Sequence, residues 1–211
     1  MLPRLYVVCD AEVCAQHGWT IPDFCAAALD GGATLIQLRA KHLGSRDALA
    51  AADAVVARAG AYRATIVIND RADLARLSGA QGVHVGQDDL APAHVRMVVG
   101  ADAVVGLSTH TVAQIDEACL APVDYVAVGP VFGTQTKDTG YHAVGLDLVR
   151  EAAARASRAD RPVVAIGGIT LDRASAVIEA GAASVAVISD LLVGGDPRAR
   201  VQAFLDRLTR V

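Results

Sequence analysis

Short apolar segments alternate along the chain with longer segments in which apolar residues recur at helical spacing. The short segments are rich in β-branched residues and almost wholly apolar, which is typical of strands buried on both faces of a parallel sheet. This pattern predicts eight strands, at residues 4–9, 34–39, 65–68, 82–85, 104–107, 125–128, 163–166 and 184–188.

The segments between these strands are rich in Ala and Leu and predict eight helices. Thr20, Ser45 and Thr111 stand at or just before the start of three of them, where a side-chain oxygen can cap the first turn. The predicted helices cover residues 22–29, 45–59, 71–77, 92–99, 112–119, 146–156, 172–179 and 197–208.

Strict alternation of eight strands and eight helices within 211 residues predicts an α/β protein with the (β/α)8 TIM barrel fold. An open, doubly wound sheet is the alternative, because it has the same alternation. Neither a Pro/Ser-rich linker nor a run of charge interrupts the pattern, so we expect residues 1–211 to form one barrel domain. Functional residues of a barrel lie at the C-terminal ends of its strands and in the loops that follow them.

Composition excludes several classes of function. The formal net charge is −4 and aromatic residues make up 4% of the chain, so the basic and aromatic surfaces that bind nucleic acid are not expected. No uncharged apolar stretch reaches the roughly 18 residues of a transmembrane helix, and acidic residues come too early for a signal peptide. We therefore expect a cytoplasmic protein that binds neither nucleic acid nor membranes. A homo-oligomer is compatible with the sequence, which leaves the oligomeric state open.

Two cations lie two residues apart at the end of the second predicted strand, in the sequence LIQLRAK. Alternation along a strand puts Gln37, Arg39 and Lys41 on one face. Buried cations are costly unless an anion meets them, so this face predicts a clamp for a polyphosphate. The alternative is that both cations pair with carboxylates on neighbouring loops.

Carboxylates follow the third and fourth predicted strands. Asn69 and Asp70 end the sequence VIND, and Asp88 and Asp89 follow GVHVGQ. Carboxylates on adjacent loops of one barrel rim can share a Mg²⁺ ion, with phosphate oxygens and waters as the other ligands. The alternative is that these aspartates cap the helices after them. His84, inside the fourth strand, is expected to be a packing residue.

The ends of the fifth and sixth strands offer further groups for an anion. Ser108 is the first residue after the fifth predicted strand, where it could bind phosphate or form a turn. The sixth strand is followed by the longest connection in the chain, which contains Thr134, Gln135, Thr136 and Lys137. Hydroxyl groups and one ammonium group in a long loop favour a lid over an anionic ligand, although a flexible solvent loop remains the alternative.

The last two strands end in AIGGIT and AVISD. Many TIM barrels bind a phosphate group at this position through backbone N–H groups, and Gly167 and Gly168 would permit close approach. A tight turn without a ligand is the alternative. One rim therefore carries a cationic site for a diphosphate and an amide site for a monophosphate, which favours an enzyme that joins two phosphorylated small molecules.

Taken together, these segments resemble the thiamine-phosphate synthase family. The family has a (β/α)8 barrel and joins 4-amino-2-methyl-5-hydroxymethylpyrimidine diphosphate to a thiazole phosphate, giving thiamine monophosphate and pyrophosphate. One departure is Cys9, where the first strand of the family more often has Thr before the Asp. The matching stretches are QLRAK (37–41), INDR (68–71), GVHVGQDDL (82–90), GLSTHT (106–111), GPVFGTQTK (129–137), AIGGIT (165–170) and VAVIS (185–189).

The resemblance implies a role for each site residue. Mg²⁺ would be bound by Asp70 and Asp89, and the implied catalytic residues are Arg39, Ser108 and Lys137, the last two at the leaving diphosphate. The pyrimidine diphosphate would be held by Gln37, Arg39, Lys41 and Asn69. The thiazole phosphate would be bound by Thr134, Thr136, Gly168, Ile188 and Ser189.

Two other functions remain as alternatives. A thiazole tautomerase has the same barrel but joins no substrates, and it would not need Asp70 and Asp89 together with Arg39 and Lys41. A non-catalytic sensor of a phosphate ligand would bind without turnover. Nothing in the sequence requires either of them.

Overall fold

The fold is a closed barrel of eight parallel strands, in a computed structural model that describes residues 2–133 and 142–210. Each strand pairs with the next one in the sequence, and the last pairs with the first. The predicted TIM barrel is confirmed, and the open sheet is excluded. The strands are β1 Leu5–Asp10, β2 Leu35–Arg39, β3 Thr65–Asn69, β4 Gly82–Val85, β5 Val104–Thr109, β6 Tyr125–Val128, β7 Val163–Ile166 and β8 Ser184–Val187.

Helices surround the barrel and bury their apolar faces against it. In the described ranges they are α1 Ala11–Gln16, α2 Ile21–Asp30, α3 Ser45–Ala59, α4 Ala72–Ser78, α5 Pro92–Val99, α6 Val112–Leu120, α7 Gly145–Ala156, α8 Ala174–Glu179 and α9 Pro197–Leu208. Short 3₁₀ helices cover Gly60–Tyr62, Ser157–Ala159 and Ser189–Leu192. Within the same residues, no helix combines the length and apolar character needed to cross a membrane.

The predicted strands and helices correspond closely to the observed ones, and the differences lie at their ends. Strands β1, β3 and β5 continue to Asp10, Asn69 and Thr109, because polar residues at the barrel mouth still pair with their neighbours. Helix α1 was not predicted. It follows β1 without a loop, and the Asp10 carboxylate caps it by accepting hydrogen bonds from the N–H groups of Glu12 and Val13 at 3.1 Å.

A separate side-chain cluster fills the inside of the barrel, as is usual for this fold. Its largest members are Tyr6 and Tyr125, which are almost completely buried. Gly106 of β5 lies beside Tyr125 of β6, and a Cβ atom at Gly106 would be 2.0 Å from Cζ of that ring. The glycine therefore provides the space into which the Tyr125 ring extends.

Candidate active site

A cavity of about 720 Å³ opens at the C-terminal ends of the strands. This volume suits a small-molecule ligand. The predicted site residues among the described ones all line it: Gln37, Arg39, Lys41, Asn69, Asp70, Asp89, Ser108, Gly168, Ile188 and Ser189. Thr134, Gln135, Thr136 and Lys137 lie outside the described residues.

Arg39, the last residue of β2, forms an ion pair with Asp10 at the end of the adjacent strand β1. The Asp10 side chain is only 3% exposed. Arg39 therefore pairs with a carboxylate, as in the alternative interpretation, although Asp10 belongs to a neighbouring strand rather than to a loop. The Arg39 Nε atom is nevertheless buried and has no hydrogen-bond partner among the described residues. Within the described part of the chain, Arg39 thus retains an unpaired Nε–H donor inside the protein.

Lys41 follows β2, and its Nζ atom lies 2.9 Å from Oδ2 of Asp70. Both cations therefore pair with carboxylates from neighbouring elements, as the alternative interpretation stated. Asp70 adopts a left-handed backbone conformation with φ 63°, which Asp tolerates better than most residues. Helix α4 begins two residues later without a side-chain cap, so Asp70 does not cap it.

The Asp89 carboxylate accepts a hydrogen bond from the Gly86 N–H at 2.8 Å. Partial burial raises its pKa, and the nearby carboxylate of Asp70 raises it further. Two acidic groups therefore face each other beside Lys41. Helix α5 begins without a side-chain cap, so neither Asp88 nor Asp89 serves as the predicted cap.

The two carboxylates fit a Mg²⁺ ion that is also bound by ligand oxygens. Mg²⁺ in proteins is often held by one or two carboxylates together with substrate phosphates and waters. Among the described residues no group of three or more His, Cys, Asp or Glu side chains is arranged to hold a metal. A metal held by Asp70 and Asp89 would therefore take its remaining ligands from substrate phosphates and waters.

Hydrogen bonds connect five side chains below the cavity. Gln37 Nε2 donates to the hydroxyl of Tyr6 at 3.0 Å, and this hydroxyl lies 3.0 Å from that of Tyr125. His84 Nδ1 lies 2.8 Å from the Tyr125 hydroxyl, and its Nε2 lies 2.8 Å from Ser108 Oγ. His84 is buried and stacks on Tyr125, as expected of a packing histidine, but it also lines the cavity. Ser108 lies within β5 rather than after it.

The turn after β7 contains Gly167 and Gly168, both with positive φ. A Cβ atom at Gly168 would be 2.6 Å from the backbone oxygen of Gly133, which follows β6. Gly168 therefore allows the loops after β6 and β7 to pack closely, and it also lines the cavity. Ile188 and Ser189 line the same side of the cavity, at the end of β8.

Asp10, Tyr6, Tyr125 and Arg173 contribute to the site but were not predicted from the sequence. Asp10 carries a usable signal, since it is a carboxylate at the end of a buried strand. Arg173 falls inside a predicted helix, whereas α8 begins one residue after it. Its guanidinium lines the cavity, donates to the Gly168 carbonyl at 3.0 Å and lies over the Phe132 ring.

The fold and the site define a (β/α)8 barrel whose active-site end holds a cavity lined in part by charged and polar side chains. Residues 5–191 match the family model described as thiamine monophosphate synthase. The thiamine-phosphate synthase of Koribacter versatilis is 46% identical over 98% of this chain and 96% of its own. That of Mycolicibacterium gilvum is 44% identical over 97% of this chain and 87% of its own.

A solved structure gives the same result. The thiamine phosphate pyrophosphorylase from Pyrococcus furiosus superposes with a TM-score of 0.86 and is 28% identical, covering 98% of this chain and 96% of that one. The chain belongs to the thiamine monophosphate synthase family, and it is a transferase.

Proposed function

We propose that this protein joins 4-amino-2-methyl-5-hydroxymethylpyrimidine diphosphate to a thiazole phosphate, giving thiamine monophosphate and pyrophosphate. One observation carries the proposal: two cations and two carboxylates from adjacent strand ends meet at one cavity. Lys41 contacts Asp70 there, and Asp89 lies beside them. A diphosphate with its Mg²⁺ ion needs this combination of charges, whereas an isomerase acting on a thiazole phosphate does not.

The diphosphate is assigned to the β2 side of the cavity. Arg39 lines the cavity there, and its guanidinium would donate to a phosphate oxygen. Lys41, which contacts Asp70 in this structure, would contact the diphosphate instead if that carboxylate held the metal. Gln37 and Asn69 line the cavity nearby and would contact the pyrimidine.

The Mg²⁺ ion would be held by Asp70 and Asp89, and it would neutralise charge on the departing diphosphate. Arg39 and Lys41 add to this neutralisation. Ser108 and Lys137 are assigned to the leaving diphosphate, as the family resemblance implies. The thiazole phosphate is assigned to Thr134, Thr136, Gly168, Ile188 and Ser189.

The reaction needs no side-chain nucleophile. The bond between the pyrimidine methylene carbon and the diphosphate oxygen breaks, and the diphosphate keeps the electron pair. The aminopyrimidine stabilises the resulting cation, and the thiazole nitrogen then donates its lone pair to the methylene carbon. The protein holds the two substrates in contact, so that the attack of the thiazole nitrogen becomes effectively unimolecular and its entropic barrier falls.

The direct experiment is an assay of the purified protein for both products. We expect thiamine monophosphate and pyrophosphate to form in equal amounts, and only when both substrates and Mg²⁺ are present. Isomerisation of the thiazole phosphate without bond formation, or binding without turnover, would contradict the proposal. We further propose that the enzyme acts in the cytoplasm and that residues 1–211 form one domain.

A further inference from the structure

The hydrogen-bonded chain below the cavity crosses the inside of the barrel. It begins at Gln37 on β2, passes through Tyr6 and Tyr125, and continues through His84 to Ser108 on β5. Its two ends, Gln37 and Ser108, line the cavity. The direction in which each hydrogen bond donates determines where the protons of this chain lie.

The Gln37 end sets this direction. An amide nitrogen only donates, so the Tyr6 oxygen accepts from Gln37 Nε2. The proton of the Tyr6 hydroxyl needs another acceptor, and among the described residues the hydroxyl of Tyr125 is the one that it reaches. Tyr125 then accepts from Tyr6 and directs its own proton to Nδ1 of His84.

The opposite direction would leave a buried group unsatisfied. If Tyr125 donated to Tyr6, the Tyr6 proton would have no acceptor among the described residues, which is costly for a group that is 1% exposed. Burial also raises the pKa of Tyr6 to about 12 and that of Tyr125 well above its ordinary value. Both phenols therefore keep their protons at neutral pH.

This direction determines the state of His84 and Ser108. Because Nδ1 accepts from Tyr125, the neutral His84 ring carries its proton on Nε2 and donates it to Ser108 Oγ. The Ser108 hydroxyl then has its own proton free to donate toward the cavity. We propose that Tyr125 and His84 are positioning residues that fix Ser108 as a hydrogen-bond donor to an anionic ligand. The identification of that ligand as the diphosphate rests on the proposed function.

The tautomer of His84 can be measured without any substrate. Two-bond ¹H–¹⁵N correlation spectra of protein labelled with ¹⁵N-histidine distinguish the two ring nitrogens, and a His84→Asn variant identifies the His84 signals among the six histidines. We expect the neutral form protonated on Nε2. A form protonated on Nδ1, or a charged ring at neutral pH, would overturn the proposal.

Phenylalanine variants test the direction of the chain while keeping each ring in place. Tyr125→Phe removes the donor to Nδ1, so we expect a mixture of tautomers. Tyr6→Phe leaves the contact between Tyr125 and His84 intact, so we expect the Nε2 form to remain. Tyr62→Phe is the control, because its hydroxyl donates to Asp30 on the protein surface. An unchanged tautomer in Tyr125→Phe would contradict the proposed direction.

Kinetics test whether the effect passes through Ser108. We expect Tyr125→Phe to lower kcat by about three- to tenfold, the range of one hydrogen bond. In a Ser108→Ala background, the same substitution should cause no further loss. An equal loss in both backgrounds would mean a general structural effect and would overturn the positioning role. If the wild-type protein forms no product, the proposed function fails, whereas the spectra still decide the hydrogen-bond direction.

Discussion

Arg39 and Lys41 each pair with an aspartate, but the two pairs differ in burial. Asp10 is 3% exposed, whereas Lys41 and Asp70 are 39% and 20% exposed. Loss of Arg39 leaves a buried carboxylate with only backbone hydrogen bonds, which is costly. We expect Arg39→Met to lower the free energy of unfolding by about 2–4 kcal/mol, and Lys41→Met by less than about 1 kcal/mol, as measured by urea denaturation.

A second substitution isolates the buried charge as the cause. Asp10→Asn in the Arg39→Met background removes the carboxylate but keeps the side-chain oxygen that caps α1. Most of the lost stability should return. Equal destabilisation by Arg39→Met and Lys41→Met would show that burial does not distinguish the pairs.

Asp89 should make stability dependent on pH. Its pKa in the folded protein lies above the ordinary value of 3.8, so the folded state holds its proton over a wider range than the unfolded chain. The contribution of Asp89 to stability therefore falls as pH rises from about 3.8 through the raised pKa, and is constant above it. Asp89→Asn should match the wild type at low pH and exceed it in stability at neutral pH.

Unfolding measured at a series of pH values without Mg²⁺ tests this prediction. Asp88→Asn is a suitable control, since Asp88 has no side-chain hydrogen bond or ion pair among the described residues. If Asp89→Asn is less stable than the wild type at neutral pH, its bond to Gly86 outweighs the burial of its charge.

Single residues of the site differ in how far the sequence reveals them. Gln37 and Asp70 stand out because polar groups rarely lie within or directly after a buried strand without a reason. Asp10 gives the same signal, but its role depends on Arg39, 29 residues later. Tyr6 and Tyr125 fit an ordinary apolar strand, and their hydroxyl groups meet across 119 residues. Only the closed barrel brings them together.

At the level of elements, the turn after β7 packs against the first residues after β6, at Phe132 and Gly133. Phe132 N–H donates to the Gly167 carbonyl at 3.0 Å, and Gly168 has φ 62° with the Gly133 oxygen next to its Cα. A methyl group at Gly168 would force these loops apart. We expect Gly168→Ala to destabilise the protein by about 1–3 kcal/mol and to raise KM for the thiazole phosphate more than for the diphosphate.

Gly60→Ala provides the control for this glycine. Gly60 has φ −55°, and a Cβ atom there would contact nothing within 4 Å. Its substitution should leave stability unchanged or slightly higher. Calorimetric titration of both variants with each substrate completes the comparison, and loss of diphosphate binding alone in Gly168→Ala would contradict the assignment of the two anion sites.

The elements themselves were largely predictable because buried parallel strands are short and almost wholly apolar. The exceptions have local causes. Helix α1 has six residues and starts where β1 ends, so no loop precedes it and its fewer than two turns give only a weak helical pattern. Helix α8 begins at Ala174 rather than at the predicted residue 172, because a turn from Thr170 precedes it.

At the scale of the whole molecule, turnover should depend on Mg²⁺. Asp70 and Asp89 follow β3 and β4, and the parallel pairing of these adjacent strands places the two carboxylates together. We expect excess chelator to abolish activity and added Mg²⁺ to restore it. Asp70→Asn and Asp89→Asn should each raise the Mg²⁺ concentration needed for half-maximal rate by about tenfold or more, whereas Asp88→Asn should not. Full turnover in chelator would exclude the metal site.

The contact between Gly106 and Tyr125 restricts the order in which this barrel can change during evolution. The ring of one residue occupies the volume that any side chain at the other would need. A larger residue at position 106 is tolerated only after position 125 has become smaller, an order that opens a cavity first and fills it second, whereas the reverse order produces a clash. Related chains should therefore differ at both positions together. Chains that differ at only one of them should have a small residue at position 125 and still have Gly at position 106.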